Sequence, residues 1–297
     1  MKKTPIVPKI RTQPISIMDN VTRQAWGIVL TIIALELIPA SFLNTHGAEF
    51  RTGGDWGCTT NAQTNLKNIA KDQTKSFMGL GDYVYSCNTG SKTFTTLWNN
   101  ITSKKGVPGN HECEKGQGTK WASQTFGYGD CKTKGYFAVI RGGNTGVIGL
   151  NPYGDYKKGT GQYNYVVSKT NQYKNDSSIK WIVYLIHDPL YPIGCSGSHC
   201  HDLEISGFKK VYEPIIKSSG KEILIQAHTH LTGAGKINNV PVAVCGGGGE
   251  DKTNAVSNTR GYQWETSKPG FCLVHTESDI AMIQLIGLDG QPIHTQT

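Results

Sequence analysis

Apolar residues fall along this chain in two patterns. The unbroken runs Ser76–Leu80, Trp181–Ile186 and Ile223–Ala227, five or six residues each, are too short for helices and predict strands buried on both faces. Asn61–Asp72 instead carries Leu66, Ile69 and Ala70 at helical spacing among polar residues, which predicts an amphipathic helix. A helix there makes a β-α-β unit that returns Asp55 and Asp82 to the same sheet edge. Residues 141–164, rich in Gly, Asn and Tyr, predict a long surface loop leading to a further strand or turn. Phe271–Val274 and Ile280–Ile286, with a turn at Gly287-Leu288-Asp289-Gly290, predict a closing β-hairpin. The fold class is therefore α/β, with functional residues expected at the carboxyl ends of strands.

The longest apolar stretch is Trp26–Leu43, 18 residues broken only by Glu36 and a few small or hydroxyl residues. Lys2, Lys3, Lys9, Arg11 and Arg23 precede it, against a single Asp19. A basic leader before such a stretch predicts a signal or anchor segment, with everything after it carried across the membrane. A buried core helix is the alternative, but it gives the basic leader no purpose. The division expected is a tail and hydrophobic segment over 1–48 (apolar part 26–43) and one domain over 49–297. The product is then extracytoplasmic, either secreted or held in the membrane through 26–43.

Composition sharpens this picture in two ways. The net charge of +8 invites a polyanion partner, yet half of it lies in the first 25 residues and no basic run with interleaved aromatics follows, so no specific nucleic-acid partner is inferred. All eight cysteines lie beyond the apolar segment, as expected of an exported chain with disulfides. Cys195 with Cys200 and Cys113 with Cys131 are the nearest pairs in sequence. A zinc site using Cys195, Cys200 and His199 or His201 competes with the first, without the usual paired short spacings.

Candidate chemistry lies in five fragments: Gly54-Asp55-Trp56-Gly57, Gly81-Asp82-Tyr83-Val84-Tyr85, Gly109-Asn110-His111-Glu112, His187, and His228-Thr229-His230. Each aspartate alone is a common turn residue, and each histidine alone a common core residue. Their order and spacing argue otherwise. Asp55 to Asp82 is 27 residues and Asp82 to Asn110 is 28, each about one β-α-β crossover. Together they offer two carboxylates, a phenol, an amide oxygen and three imidazoles, a donor set suited to two adjacent metal ions.

GDWG, GDYVY, GNHE, WIVYLIHDPLY and AHTH resemble the five blocks of the metallophosphoesterase superfamily, over about Glu49–Gln291, and within it the purple acid phosphatases of the small single-domain type. Gly57 stands where other branches carry a first-block histidine, and Tyr85 ends the second block. The resemblance implies a β-sandwich of two mixed sheets flanked by helices (αββα), with the metal site at strand ends. It implies Fe(III) held by Asp55, Tyr85 and His230, a divalent partner (Fe, Zn or Mn) held by Asn110, His187 and His228, and Asp82 bridging the two. It further implies an acid phosphatase that hydrolyses small phosphomonoesters through metal-bound hydroxide, with His111 steadying charge or protonating the leaving group and Glu112 orienting it. His199 and His201 fall where relatives place substrate contacts. A phosphodiesterase or nucleotide-directed enzyme, and a catalytically silent metal- or phosphate-binding surface protein, are the alternatives. Ala227 departs from the family glycine and would be strained at a positive φ. Asp188 adds a carboxylate beside His187. Cys58 is expected in a disulfide; a free thiol there would lie close enough to ligate.

Overall fold

The computed structural model describes residues 47–88, 90–194, 207–250 and 261–297. The chain divides into Met1–Thr45 and His46–Thr297, and only the second unit is described. The apolar segment 26–43 lies outside the described residues; among them, no helix is long and apolar enough to cross a membrane.

The described chain opens with β1 (Ala48–Gly53), α1 (Thr60–Ala70), β2 (Ser76–Gly79), α2 (Lys92–Asn99) and β3 (Lys104–Gly106). Strands β1, β2 and β3 run parallel, as the expected crossover requires. Helix α1 starts where Thr59 accepts the Ala62 N–H, and it buries Leu66 and Ile69. Two short helices follow, α3 (Asn110–Cys113) and α4 (Thr119–Phe126), then β4 (Phe137–Arg141), β5 (Thr145–Gly149), α5 (Gly161–Asn175), β6 (Trp181–Leu185), α6 (Phe208–Ile216) and β7 (Glu222–Gln226). The rest is strand: β8 (Thr232–Ile237), β9 (Val240–Cys245), β10 (Tyr262–Thr266), β11 (Gly270–Thr276), β12 (Ala281–Gly287) and β13 (Pro292–Gln296).

These strands form two mixed sheets, ordered β13-β12-β11-β1-β2-β3 and β10-β8-β9-β7-β6-β5-β4. Side-chain alternation explains why the apolar runs are unbroken. In β6, Val183 and Leu185 face the core between the sheets, whereas Ile182 and Tyr184 face the layer holding α5 and α6. In β2, Met78 faces the central core and Phe77 faces the layer of α1, α2 and α4. The result is four layers, αββα, as expected.

Two expectations change. The C-terminal hairpin is a three-stranded meander, because the GLDG turn leads into β13 and not back into the hairpin. The segment 141–164 is a surface loop only in part: 150–160 is loop, but β5 within it is fully buried between β4 and β6. Glycine in a buried strand accounts for the difference. A β-carbon on Gly146 would lie 2.2 Å from the Tyr173 ring, so the strand is glycine-bearing because an aromatic side chain packs directly on its backbone.

Three disulfides join described residues. Cys113–Cys131 matches the sequence expectation. Cys58–Cys87 ties the loop after Asp55 to the loop after Tyr85, so Cys58 is not a free thiol. Cys245–Cys272 links β9 to β11 across the two sheets. Cys195 and Cys200 lie outside the described residues.

Overpacking at β5 gives a direct check on this layering. Gly146→Val should lower the melting temperature by about 2–10 °C, since an inserted side chain displaces a buried ring. An unchanged thermal unfolding curve would mean that Tyr173 does not pack there.

Candidate metal centre

Each described candidate ligand lies at or just beyond a strand end. Asp55 follows β1, Asp82 follows β2, Asn110 opens α3 after β3, His187 follows β6, and His228 and His230 lie between β7 and β8. Hydrogen bonds join the loops of the two sheets, among them Gly54 N–H to Cys245 O (3.0 Å) and Gly248 N–H to Gly54 O (3.0 Å). Asp55, Asp82, His228 and His230 have left-handed backbones, with φ of 61°, 52°, 72° and 56°. Such conformations cost about 1–3 kcal/mol each and persist where the surroundings over-determine them.

The donor atoms converge on His187. Its Nε2 lies 3.1 Å from His228 Nδ1, 3.2 Å from Asn110 Oδ1, 3.4 Å from Asp82 Oδ2 and 3.9 Å from Asp55 Oδ1. Neighbouring ligands at about 2.1 Å from one ion, at right angles, would stand about 3 Å apart, so the three shorter spacings are compatible with a shared ion. Asp82, His187 and His228 place ligand atoms within 4.8 Å of one another. His187 Nδ1 lies 2.6 Å from Leu80 O and donates to it, which fixes the ring with Nε2 turned inward. Tyr85 Oη is also 3.3 Å from Asp82 Oδ2, and His230 Nε2 is 3.9 Å from Asp55 Oδ1.

These residues fit metal ions on an observation of the fold itself. Asp55 Oδ1 is wholly buried and has no hydrogen-bond partner. Leaving a carboxylate oxygen so placed costs several kcal/mol unless a cation faces it. The other oxygen, Oδ2, accepts the His228 N–H at 2.7 Å. Without metal, protons do part of this work. Burial drives the Asp55 pKa well above its usual range against the pull of His187, with Asp82 adding to it. For Asp82 burial also pushes upward, but the charge and hydrogen bond of His187, then His111, win and hold it well below the usual range. Burial disfavours the His187 imidazolium, yet Asp82 and then Asp55 raise it well above its ordinary value. Tyr85 is driven well above 10 by burial, then by Asp82 and Asp55, so its phenol stays protonated until a strongly charged ion displaces the proton.

Glu112 is not placed to orient His111. Its carboxylate accepts four backbone N–H groups: Gly109 (2.9 Å) and Asp82 (3.0 Å) at one oxygen, Tyr83 (2.7 Å) and Val84 (3.1 Å) at the other. It pins the second and third fragments together. Their approach is close: a β-carbon on Gly109 would sit 2.1 Å from Asp82 Oδ1. Asp82 Oδ1 also accepts the His111 N–H at 2.9 Å. The His111 ring lies over Tyr85, centroids 3.9 Å apart, with Nδ1 2.6 Å from Gln117 Oε1 and Nε2 2.6 Å from Lys115 Nζ. An ammonium only donates, so Nε2 is the acceptor in this arrangement.

Residues absent from the sequence reading complete the rim. Tyr153 donates to Asp188 Oδ1 at 2.7 Å, and the same oxygen lies 3.4 Å from His228 Nδ1. Tyr153 was hidden because the strand before it read as loop. Lys115 and Gln117 carried no signal beyond their closeness to His111 in sequence. Ala227 is not at positive φ; its methyl group faces Gly54, where a β-carbon would lie 2.8 Å away, so the departure from glycine is accommodated by a glycine opposite. His199 and His201 lie outside the described residues.

No family model and no curated protein sequence matches the chain. Solved structures do. A purple acid phosphatase from yellow lupin (Lupinus luteus) seeds, PPD1, matches with a TM-score of 0.66 and 16% identity over 84% of this chain and 53% of its own. GAP50, described as the anchor in the inner membrane complex of Plasmodium, matches with a TM-score of 0.63 and 15% identity over 85% of this chain and 88% of its own. PhoD matches with 0.57 and 12%, over 85% and 68%. The chain thus spans about half of the lupin enzyme's length. It has the metallophosphoesterase fold.

Buried charge gives the metal-free protein a pH signature. Glu112 is pushed up to about 7 by burial and then by Asp82, and Asp188 to about 6 by burial against His187. A carboxyl whose folded pKa exceeds its unfolded value contributes stability that is lost as pH rises between the two. That window runs from 4.5 to about 7 for Glu112 and from 3.8 to about 6 for Asp188. His187, raised above 6.5, adds a loss of the same sign as pH rises through its folded pKa; His111, lowered by burial, opposes them below 6.5. The metal-free protein should therefore melt lower at about pH 7.5 than at about pH 5, and divalent metal should raise the melting temperature more at the higher pH. A melting temperature that climbs over that range without metal contradicts this account of the charges.

Proposed function

We propose that the protein is an exported phosphomonoesterase of the purple acid phosphatase type. The observation that carries the reading is Tyr85, whose hydroxyl reaches the Asp82 carboxylate at 3.3 Å from a position where a phenolate can replace the imidazole absent at Gly57. A phenolate is a hard anionic donor that favours Fe(III), and the amide and imidazole set of Asn110, His187 and His228 suits Fe(II), Zn or Mn. When bound, the two ions supply the charge that neutralises the phosphoryl group and acidifies the attacking water. The chain's own residues position them. Asp82 is shared between the two halves, Glu112 fixes the backbone of fragments two and three, and the Leu80 carbonyl fixes the His187 tautomer. His111 stands on the open side, 3.8 Å from Asp82 Oδ2, where a phosphate ester would approach.

Export is supported by three disulfides together with the basic leader and apolar segment 26–43, which leave secretion and membrane anchoring both open. A second reading, a silent scaffold, draws on GAP50, a protein described as an anchor, of which this chain covers 88%.

Turnover of an aryl phosphate separates the two. Asp82→Asn should lower kcat/KM by about 10²–10⁴-fold and His111→Ala by about 10- to 100-fold, whereas a wild-type protein that holds metal without turnover belongs to the scaffold class. Visible absorption tests the narrower assignment. The iron-loaded protein should show a tyrosinate charge-transfer band that Tyr85→Phe removes; hydrolysis by an iron-free, colourless protein would retain the phosphoesterase and discard the purple type.

A further inference from the structure

Both ring nitrogens of His111 are engaged, and a single neutral tautomer satisfies both. Nδ1 carries the hydrogen and donates to Gln117 Oε1 at 2.6 Å, while Nε2 accepts from Lys115 Nζ at 2.6 Å. One stretch of backbone sets this chain. Lys115 N–H bonds the Asn110 carbonyl at 3.0 Å and Gln117 N–H bonds the His111 carbonyl at 2.8 Å, so the turn that presents Asn110 also presents Lys115 and Gln117. Lys115 is exposed, whereas the carboxyl groups of Asp55, Asp82 and Asp188 are buried. A phosphate entering from solvent toward the bound ions keeps some of its oxygens turned to the open side, where a further cation can meet them. Lysine, a compact ammonium on a flexible stem, suits a phosphate oxygen.

We propose that Lys115 is a substrate-binding residue, its ammonium held by His111 beside the bridging carboxylate so as to take a terminal oxygen of a bound phosphate monoester. The inference rests on the phosphoesterase reading of the site. It makes His111 a positioning residue, its ring a spacer between Gln117 and Lys115, 3.8 Å from Asp82 Oδ2. No proton is transferred in this binding step.

The test uses the full-length, metal-loaded chain with Lys115→Met and Lys115→Arg. Orthophosphate affinity is measured by calorimetry, kcat and KM on an aryl phosphate, and bound metal by elemental analysis. Lys115→Met should weaken orthophosphate binding and raise KM by about 10- to 100-fold, the effect of losing one charge-assisted hydrogen bond, with kcat less affected and metal content unchanged. Lys115→Arg should stay within a few-fold of wild type. Orthophosphate affinity and KM unchanged in Lys115→Met, while the wild type turns over normally, overturns the Lys115 assignment alone. A wild type that binds orthophosphate without turnover removes the hydrolase reading, and the same Lys115→Met titration still decides the lysine. A wild type that neither binds orthophosphate nor turns over the ester overturns both.

Discussion

Two aspartates from adjacent strands, Asp55 and Asp82, are buried against the same histidine, and the rest of the site is arranged around that crowding of charge. Neither carboxylate can move away, because each is held by a backbone N–H across the loop junction: Asp55 by His228, Asp82 by His111. Left-handed backbones at Asp55, Asp82, His228 and His230 add strain to the electrostatic cost. An arrangement that is unfavourable twice over persists only where the surrounding fold is stiff and where binding of a cation recovers the loss.

That stiffness has identifiable sources. The strands that lead into the site are buried on both faces, and Cys245–Cys272 links the two sheets, while Gly54 N–H reaches the Cys245 carbonyl. Cys58–Cys87 joins the loops that carry Asp55 and Tyr85, and Asn88 repeats the link by accepting the Tyr85 N–H and donating to Gly57 O. Glu112 does the same for fragments two and three with four backbone hydrogen bonds. In the chain of Gln117, His111 and Lys115 the backbone is held in the same way, while the exposed Lys115 side chain reaches solvent, which suits a group that must meet a diffusing substrate.

Much of this was legible in the sequence for a physical reason. Strands buried on both faces write unbroken apolar runs, and residues just after them must gather at one sheet edge, so Asp82, His187 and His228 could be placed together from the pattern alone. The spacing of Asp55, Asp82 and Asn110 carried the parallel crossovers in the same way. What failed was legibility through glycine. β5 read as loop because Gly146 admits the Tyr173 ring, and its loss hid Tyr153, which follows that strand. Glu112 looked catalytic because it neighbours His111 in sequence, yet its side chain is taken up by backbone donors, a preference that no periodicity records. The Cys245–Cys272 pairing depended on how the two sheets face each other and was equally invisible.

Under the proposed function one buried carboxylate, Asp82, would be shared by two different metal ions. Crystals of the metal-loaded protein, with anomalous diffraction collected at the iron edge and at the edge of the second metal, test it most directly. The expected result is two peaks about 3.5–4 Å apart on either side of Asp82, the iron peak on the side of Tyr85 and His230. A single ion centred on Asp82, His187 and His228, or none, would contradict it.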